Sequence, residues 1–420
     1  MLVTEIQQAG AAVPERDREQ GADEASAKMA SVETSGGTAA GERAEQRTSP
    51  LHRAVSWLRP SDRTALLIWF FWQVASYIYL FLAGPGRTED ALLDRFNRYD
   101  SYNFMDIAKY GYDGRPDDPD AARLIAFFPG LPLLLRVLYP FIPDLRLALV
   151  LTSLVASAVV AVALSRLSES YREGTGHWTV LAFFLSPFAV FLLAGYTEAP
   201  FLALAIPAWL LARKGRWEAA AVCAAFASSI RISGLFLAFG LLVQFLVARN
   251  GLRAPGGWRK APWLVLPGVP VLAYMIYLWH RTGDLMAWKA AEAQYWGRYP
   301  EAPWTVFINT WNRSINEPVL ATSYREEILS AMVLVVLIVA RLIRRNWADV
   351  AYLAPQAVAL LAMSSFYMSV GRASLLWWPL YISVGLVGSR KPWVFMAYLA
   401  VAAPVWAINV GNFTTGAWVG

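Results

Sequence analysis

A-A-A-V-C-A-A-F-A-S-S-I-R-I-S-G-L-F-L-A-F-G-L-L-V-Q-F-L-V-A, residues Ala219–Ala248, is an apolar run with a single charge, Arg231, near its middle. Its length suits one membrane-crossing helix. Its flanks do not. Arg213, Lys214 and Arg216 precede it, and Arg249, Arg253, Arg259 and Lys260 follow. Clusters of Lys and Arg mark the cytoplasmic face of a membrane protein, so both flanks belong on one side. An even number of crossings is then required. The run reads as two short helices meeting near Arg231–Gly234, each of about 14 residues and about 20 Å long.

The same parity orders the rest of the chain. Of 420 residues, 57% are hydrophobic and only 16% charged, with mean hydropathy +0.38. A soluble chain is about a quarter charged, so this one is solvated mostly by lipid. Nineteen Trp and eighteen Tyr suit two membrane–water interfaces. The net charge of +6 is spread in short clusters between apolar runs, which reads as topology and not as a nucleic-acid surface. Apolar runs at Thr64–Gly84, Leu145–Leu164, Trp178–Gly195, Thr197–Leu211, Pro262–His280, Ile328–Leu342, Val350–Tyr367, Ala373–Val387 and Trp393–Ile408 join the pair above. Together they give about eleven spans or half-spans of roughly 15–20 residues. Leu124–Phe141, with three prolines, reads as an interfacial segment.

The expected organisation follows. Residues 1–56, rich in Ala, Glu, Gly, Ser and Thr, form a disordered cytoplasmic tail without the apolar core of a signal peptide. Residues 57–410 form an all-α polytopic domain of the plasma (cytoplasmic) membrane, with long outer loops at 85–124 and 281–326. Residues 411–420 are a short extracytoplasmic tail. The one cysteine, Cys223, and three scattered histidines offer no disulfide and no metal cluster. Neither a nucleotide-binding glycine loop nor zinc spacing is present.

Within the first outer loop, Arg95–Tyr112 reads R-F-N-R-Y-D-S-Y-N-F-M-D-I-A-K-Y-G-Y. As one helix it places Phe96, Asp100, Phe104, Ile107 and Gly111 on a narrow stripe. Asp100 is the only charge there, and an acid on an apolar face costs desolvation unless it has a partner or a task. The structural alternative is an N-cap, or an ion pair with Arg95 or Arg98. Asp106, on the flank, is expected to pair with Lys109 at i+3. The outer face further collects Glu198 at a hairpin tip and Arg231, Arg298 and Arg372. Guanidinium forks suit an anionic lipid head group, and a carboxylate suits the deprotonation of a hydroxyl. Arg231 pairing with an acid and Arg372 snorkelling to head groups are the plain alternatives.

These residues carry a resemblance. R-Y-D-S-Y-N-F-M-D-I-A-K-Y-G-Y resembles the signature of the PIG-V mannosyltransferases, the second mannosyltransferases of GPI-anchor synthesis, and their bacterial relatives. A-F-F-P-G-L-P-L-L at 126–134, G-Y-T-E-A-P-F at 195–201, S-S-I-R-I-S-G-L at 228–235 and A-E-A-Q-Y-W-G-R-Y-P-E-A-P-W at 291–304 follow in the same order. The resemblance implies a GT-C-type helical bundle with an extracytoplasmic site, using a polyprenyl-phosphate sugar donor, usually mannose; no cofactor or metal is expected, since the loop has no paired-acid motif and arginine can stabilise the charge. It implies Asp100 as general base. Arg98, Tyr99, Ser101, Tyr112, Glu198, Arg231, Gln294, Trp296, Arg298 and Arg372 are the expected substrate-binding residues, and Gly297 belongs to the same motif. Tyr99 stands where the family usually has Trp, and Ala373 and Trp378 stand where many relatives have Tyr and Phe. The expected reaction is inverting sugar transfer to a glycolipid or cell-envelope glycan. The competing class is a lipid-linked-sugar flippase or transporter, which predicts pseudo-symmetric halves; no internal repeat is visible. A catalytically inactive scaffold is the third reading.

Overall fold

The computed structural model describes residues 58–83 and 89–420; the tail expected at 1–56 lies outside the described residues. Among the described residues there are helices and turns but no strand. The chain is an all-α, multi-span membrane protein.

Helix α1 spans Pro60–Ala83. Proline is tolerated in a first turn, where its missing N–H has no helical partner to lose, and Asp62 accepts from the Arg59 backbone N–H at 2.9 Å. The first loop holds the short helices α2 (Glu89–Phe96) and α3 (Asp100–Tyr110), then α4 (Gly130–Leu138). Helix α5 (Leu145–Glu169) is N-capped by Asp144, whose carboxylate accepts from the Arg146 N–H. At its far end Arg166 makes a two-pronged bond to the buried Asp62, at 2.9 and 2.8 Å. That fork fastens the end of α5 to the start of α1.

Next come α6 (Gly176–Phe184), α7 (Glu198–Arg213), α8 (Trp217–Ile230) and α9 (Ser233–Val247). The two-helix reading of 219–248 corresponds to α8 and α9, with the break at Arg231-Ile232. Their basic flanks meet: Asn250 donates to the Arg213 carbonyl and Lys260 to the Gly215 carbonyl, at 2.8 and 3.2 Å. The remaining helices are α10 (Gly268–Thr282), α11 (Ala287–Trp296), α12 (Pro303–Asn316), α13 (Ala321–Ile343), α14 (Trp347–Leu361), α15 (Val370–Ala373), α16 (Trp378–Gly388) and α17 (Pro392–Thr415). Helix α17 carries on to Thr415, beyond Ile408 where the hydropathy of the last span fades. Helix α7 packs against α5 and α8, and α9 against α14.

Among the described residues, four stretches are long and apolar enough to cross a bilayer alone: Pro60–Leu82, Leu145–Glu169, Gly257–Thr282 and Pro392–Thr415. A fifth arises if Val370–Leu376 and Trp378–Gly388, bent by 69°, count as one. The number is below the sequence count because other apolar runs are broken, form short helices such as Trp347–Leu361, or, like Ile328–Leu342, lie in a helix that also carries Arg325, Glu326, Glu327 and Arg341. Trp178–Gly195 is the clearest of the broken runs. Its helix stops at Phe184, ahead of Pro187, and a 3-10 turn at Ala189–Leu192 follows. Proline cannot supply the N–H that a continuous helix needs.

Residues 188–200 are buried without exception. Irregular backbone survives at such depth only when its polar groups are satisfied by protein. Here they are: Ser153 donates to the Ala194 carbonyl, Ser101 to the Gly195 carbonyl, and the Gly195 N–H to the Phe96 carbonyl, all at 2.6–3.0 Å. This segment ties the first loop to the core and delivers Glu198 to the site.

Candidate active site

The helix drawn through Arg95–Tyr112 is two helices. Helix α2 ends at Phe96, the chain turns through Asn97, Arg98 and Tyr99, and α3 begins at Asp100. Tyr99 sits at φ 47°, ψ −108°, a conformation that a bulky residue adopts only at a cost of about 1–3 kcal/mol. Its surroundings hold it there. The Tyr99 hydroxyl donates to the Gly416 carbonyl at 2.6 Å, Arg98 donates to the Thr414 carbonyl at 3.1 Å, and the Tyr196 hydroxyl donates to the Arg98 carbonyl at 3.1 Å. Asp100 therefore stands at the start of a helix, in the wall of a cavity, and not midway along a greasy stripe. Phe104 and Ile107 are buried one turn and two turns on.

Neither expected partner reaches Asp100. Arg95 donates to the Leu80 carbonyl and Arg98 to α17. The carboxylate pairs instead with Arg372, from Nη1 to Oδ2 at 2.6 Å. Its other oxygen accepts no hydrogen bond from the described residues. Asp106 also departs from the expectation of an exposed pair with Lys109. It is buried, accepts from Arg115 at 2.7 Å and lies 3.9 Å from Arg123. Both cations come from the following loop, which Asp106 thereby anchors to α3.

Arg372 turns its other edge to Glu198, with Nε at 2.5 Å from Oε1 and Nη2 at 3.4 Å from Oε2. Its guanidinium lies 4.4 Å from the centre of the Tyr196 ring. Glu198 is fully buried and also takes Arg231, whose Nη1 reaches Glu198 Oε1 and Thr197 Oγ1, each at 2.5 Å. Asp100, Arg372, Glu198 and Arg231 form an alternating row whose charges sum to zero. The glutamate expected at a hairpin tip is the buried hub of this row, and neither arginine snorkels.

Asp100, Arg372 and Arg231, with Glu198 behind them, form one side of a cavity of about 350 Å³ that also takes in Tyr99, Phe127, Glu292, Trp296, Arg298 and Ser369. Trp418, Val419 and Gly420, in the segment read as a tail, line it too. Of the expected residues, Tyr99, Asp100, Arg231, Trp296, Arg298 and Arg372 reach the cavity. The others lie behind or outside it. Ser101 is buried on the Gly195 carbonyl, and Arg98 is occupied by α17. The Tyr112 hydroxyl donates to the Phe127 carbonyl at 2.7 Å, bracing the wall from outside. Gln294 is exposed away from the cavity, because on a helix it projects opposite to Glu292 and Trp296. Gly297 closes α11 at φ 59°, a conformation suited to glycine, and its carbonyl accepts from the Ser365 N–H at 3.1 Å.

Arg298 differs from the other two cavity arginines. Its guanidinium makes no hydrogen bond or ion pair with the described residues, so its donors remain available to an anion. Glu292 was not among the expected residues. It sits in the quoted 291–304 motif, four residues before Trp296, and that helical spacing was the signal for it.

Comparison with known proteins bears on this site. The family model for Mannosyltransferase (PIG-V) matches residues 86–249. The chain is 34% identical over 158 residues to GPI alpha-1,6-mannosyltransferase 2 of Rattus norvegicus, covering 35% of this chain and 31% of the relative. The Homo sapiens protein of the same name is 33% identical over 158 residues, with the same shares of 35% and 31%. That of Mus musculus is 32% identical over 167 residues, covering 37% of this chain and 32% of the relative. The chain thus spans about a third of the length of the curated relatives it matches. No solved structure matches it. Residues 86–249, the part that this family model matches, supply Asp100, Glu198 and Arg231.

Proposed function

We propose that the protein is a membrane mannosyltransferase that moves a sugar from a polyprenyl-phosphate donor to a hydroxyl of a glycolipid or cell-envelope glycan. The observation that carries this reading is the half-engaged carboxylate of Asp100, with one oxygen on Arg372 and the other without a donor among the described residues, in the wall of a cavity that also holds Arg298, unpaired among those residues. The acceptor oxygen attacks the anomeric carbon as its proton passes to Asp100. The bond from that carbon to the phosphate oxygen breaks on the opposite face, and the polyprenyl phosphate leaves with the electron pair. Configuration inverts. Arg298 takes the phosphate, since Arg231 and Arg372 are both committed to Glu198. Arg372 aims the Asp100 carboxylate through its Nη1 while its Nε is held by Glu198. In a GT-C-type arrangement the cavity opens to the extracytoplasmic side, opposite the basic connectors, with the N-terminus in the cytoplasm.

The test is transfer of radiolabelled mannose from polyprenyl-phosphate mannose in membranes containing the protein. Asp100→Asn keeps the shape and a hydrogen-bond acceptor for Arg372 but cannot take the proton. Transfer should drop by about a hundredfold or more, the usual worth of a positioned base, while donor binding persists. Near-normal turnover by Asp100→Asn would remove the base from the mechanism.

A further inference from the structure

Glu292 is the one acidic side chain of the cavity that the mechanism above leaves without a role. It projects from α11 on the same face as Trp296. Its carboxylate accepts no hydrogen bond from the described residues and has no cation within ion-pair distance. Burial pushes its carboxyl above the usual range, and Arg298, Arg231 and Lys289 offset this only in part from further away. The protein therefore keeps an acid in a desolvated wall with no partner among the described residues, an arrangement that costs folding free energy.

The neighbours indicate what it meets. Arg298 faces the same cavity and is equally unpaired, and the two do not pair with each other although opposite in charge. A ligand that engages both must present an anionic group to the guanidinium and hydrogen-bond donors to the carboxylate. A hexose attached to a phosphate has that polarity: hydroxyls at one end, anion at the other. Trp296 lines the same cavity, held edge-to-face by Phe127 with ring centres 5.5 Å apart. An aromatic wall of that kind suits the C–H face of a sugar ring.

We infer that Glu292 grips the transferred sugar, its carboxylate accepting hydrogen bonds from hexose hydroxyls of the donor while Trp296 meets the ring and Arg298 holds the phosphate. This rests on the transferase reading and adds to it the residue that selects the sugar. A phosphate at Glu292 is disfavoured by like charge, which fixes the direction in which the donor lies.

The experiment compares wild type, Glu292→Gln and Glu292→Ala with polyprenyl-phosphate mannose and with analogues in which one ring hydroxyl is replaced by hydrogen. Wild type should disfavour at least one deoxy donor by about tenfold to a hundredfold, the range for a hydrogen bond to a charged group. Glu292→Ala should lose that discrimination and raise KM for the full donor by a similar factor, with kcat less affected. A second readout separates gripping from a structural role. Because the folded-state pKa of Glu292 is raised, its protonated form suits the folded state; that contribution is complete below the unfolded value of about 4.3 and is lost as pH rises through the folded one. Glutamine mimics the protonated form. Glu292→Gln should therefore melt at a higher temperature than wild type at neutral pH, with the gain fading as pH falls across that window, while donor use weakens. Unchanged discrimination in Glu292→Ala, or a Glu292→Gln that melts lower than wild type, would overturn the assignment. Failure of the wild type to use any polyprenyl-phosphate hexose would instead sink the transferase reading, and this inference with it.

Discussion

Glu198→Gln is the sharpest probe of the charged row. In the folded protein Glu198 is fully buried and accepts three bonds from cations: Arg372 Nε at 2.5 Å, Arg372 Nη2 at 3.4 Å and Arg231 Nη1 at 2.5 Å. Glutamine offers one acceptor oxygen and turns an N–H₂ group toward a guanidinium. The row then carries one excess positive charge at a site where Arg372 and Arg231 are themselves largely shielded from solvent. Removing one partner of a buried pair costs about 3–5 kcal/mol, far more than the pair's net contribution, because the remaining charge is left uncompensated. The expected result is a large fall in melting temperature in detergent, read by tryptophan fluorescence. Arg372 should also lean fully on Asp100, and transfer should fall with it. The decisive arm is the double variant Glu198→Gln/Arg231→Gln, which restores neutrality. Groups in one ion-pair network couple by about 0.5–3 kcal/mol, so the double variant should be more stable than Glu198→Gln alone. A double variant whose loss equals the sum of the two single losses would show that charge balance is not what holds the row.

Two further outcomes are expected. Gly371→Ala should abolish transfer with little change in overall helix content, since a Cβ there would overlap the buried ring of Phe188 and displace the adjacent Arg372; full activity would mean that this approach is not needed to aim Arg372. Single cysteines at the exposed positions Asp117 and Pro300, in a Cys223→Ser background, should react with an impermeant maleimide on intact cells. Labelling only after lysis would put the cavity on the cytoplasmic side.

Much of the frame was legible in the sequence because charge placement constrains crossings. The basic residues around 213–216 and 249–260 were enough to divide Ala219–Ala248 into what the structure has as α8 and α9, with Arg231 at the break. Hydropathy alone failed at Trp178–Gly195, where an apolar run reads the same whether it is helical or irregular, and only Pro187 hinted at the break. Periodicity also misled at Arg95–Tyr112. It carried a helix through Asn97–Tyr99, where the chain is instead bent by contacts to residues more than three hundred positions away. Asp106 shows the same limit on a smaller scale, its partners lying in the next loop and not at i+3. At the site, Tyr99, Asp100, Arg231, Trp296, Arg298 and Arg372, picked out as candidates from the sequence, all line the cavity. Their positions in the sequence could not show that Glu198 would lie beneath two of them, nor that helical spacing would bring Glu292 and not Gln294 to the wall.

The separation along the chain between members of the row has a consequence for biosynthesis. Glu198 meets Arg231 only 33 residues later, whereas Asp100 must await Arg372, 272 residues on. At synthesis rates of about 5–20 residues per second, the first pair can close within roughly 2–7 s and the second only after roughly 14–54 s. The buried glutamate can thus enter the bilayer already neutralised by the arginine of the next hairpin. Asp100, whose side chain stays partly exposed, is the acid that can wait. The tie from Tyr99 to Gly416 comes later still, so the strained turn beside Asp100 is set only after the last helix has emerged from the ribosome.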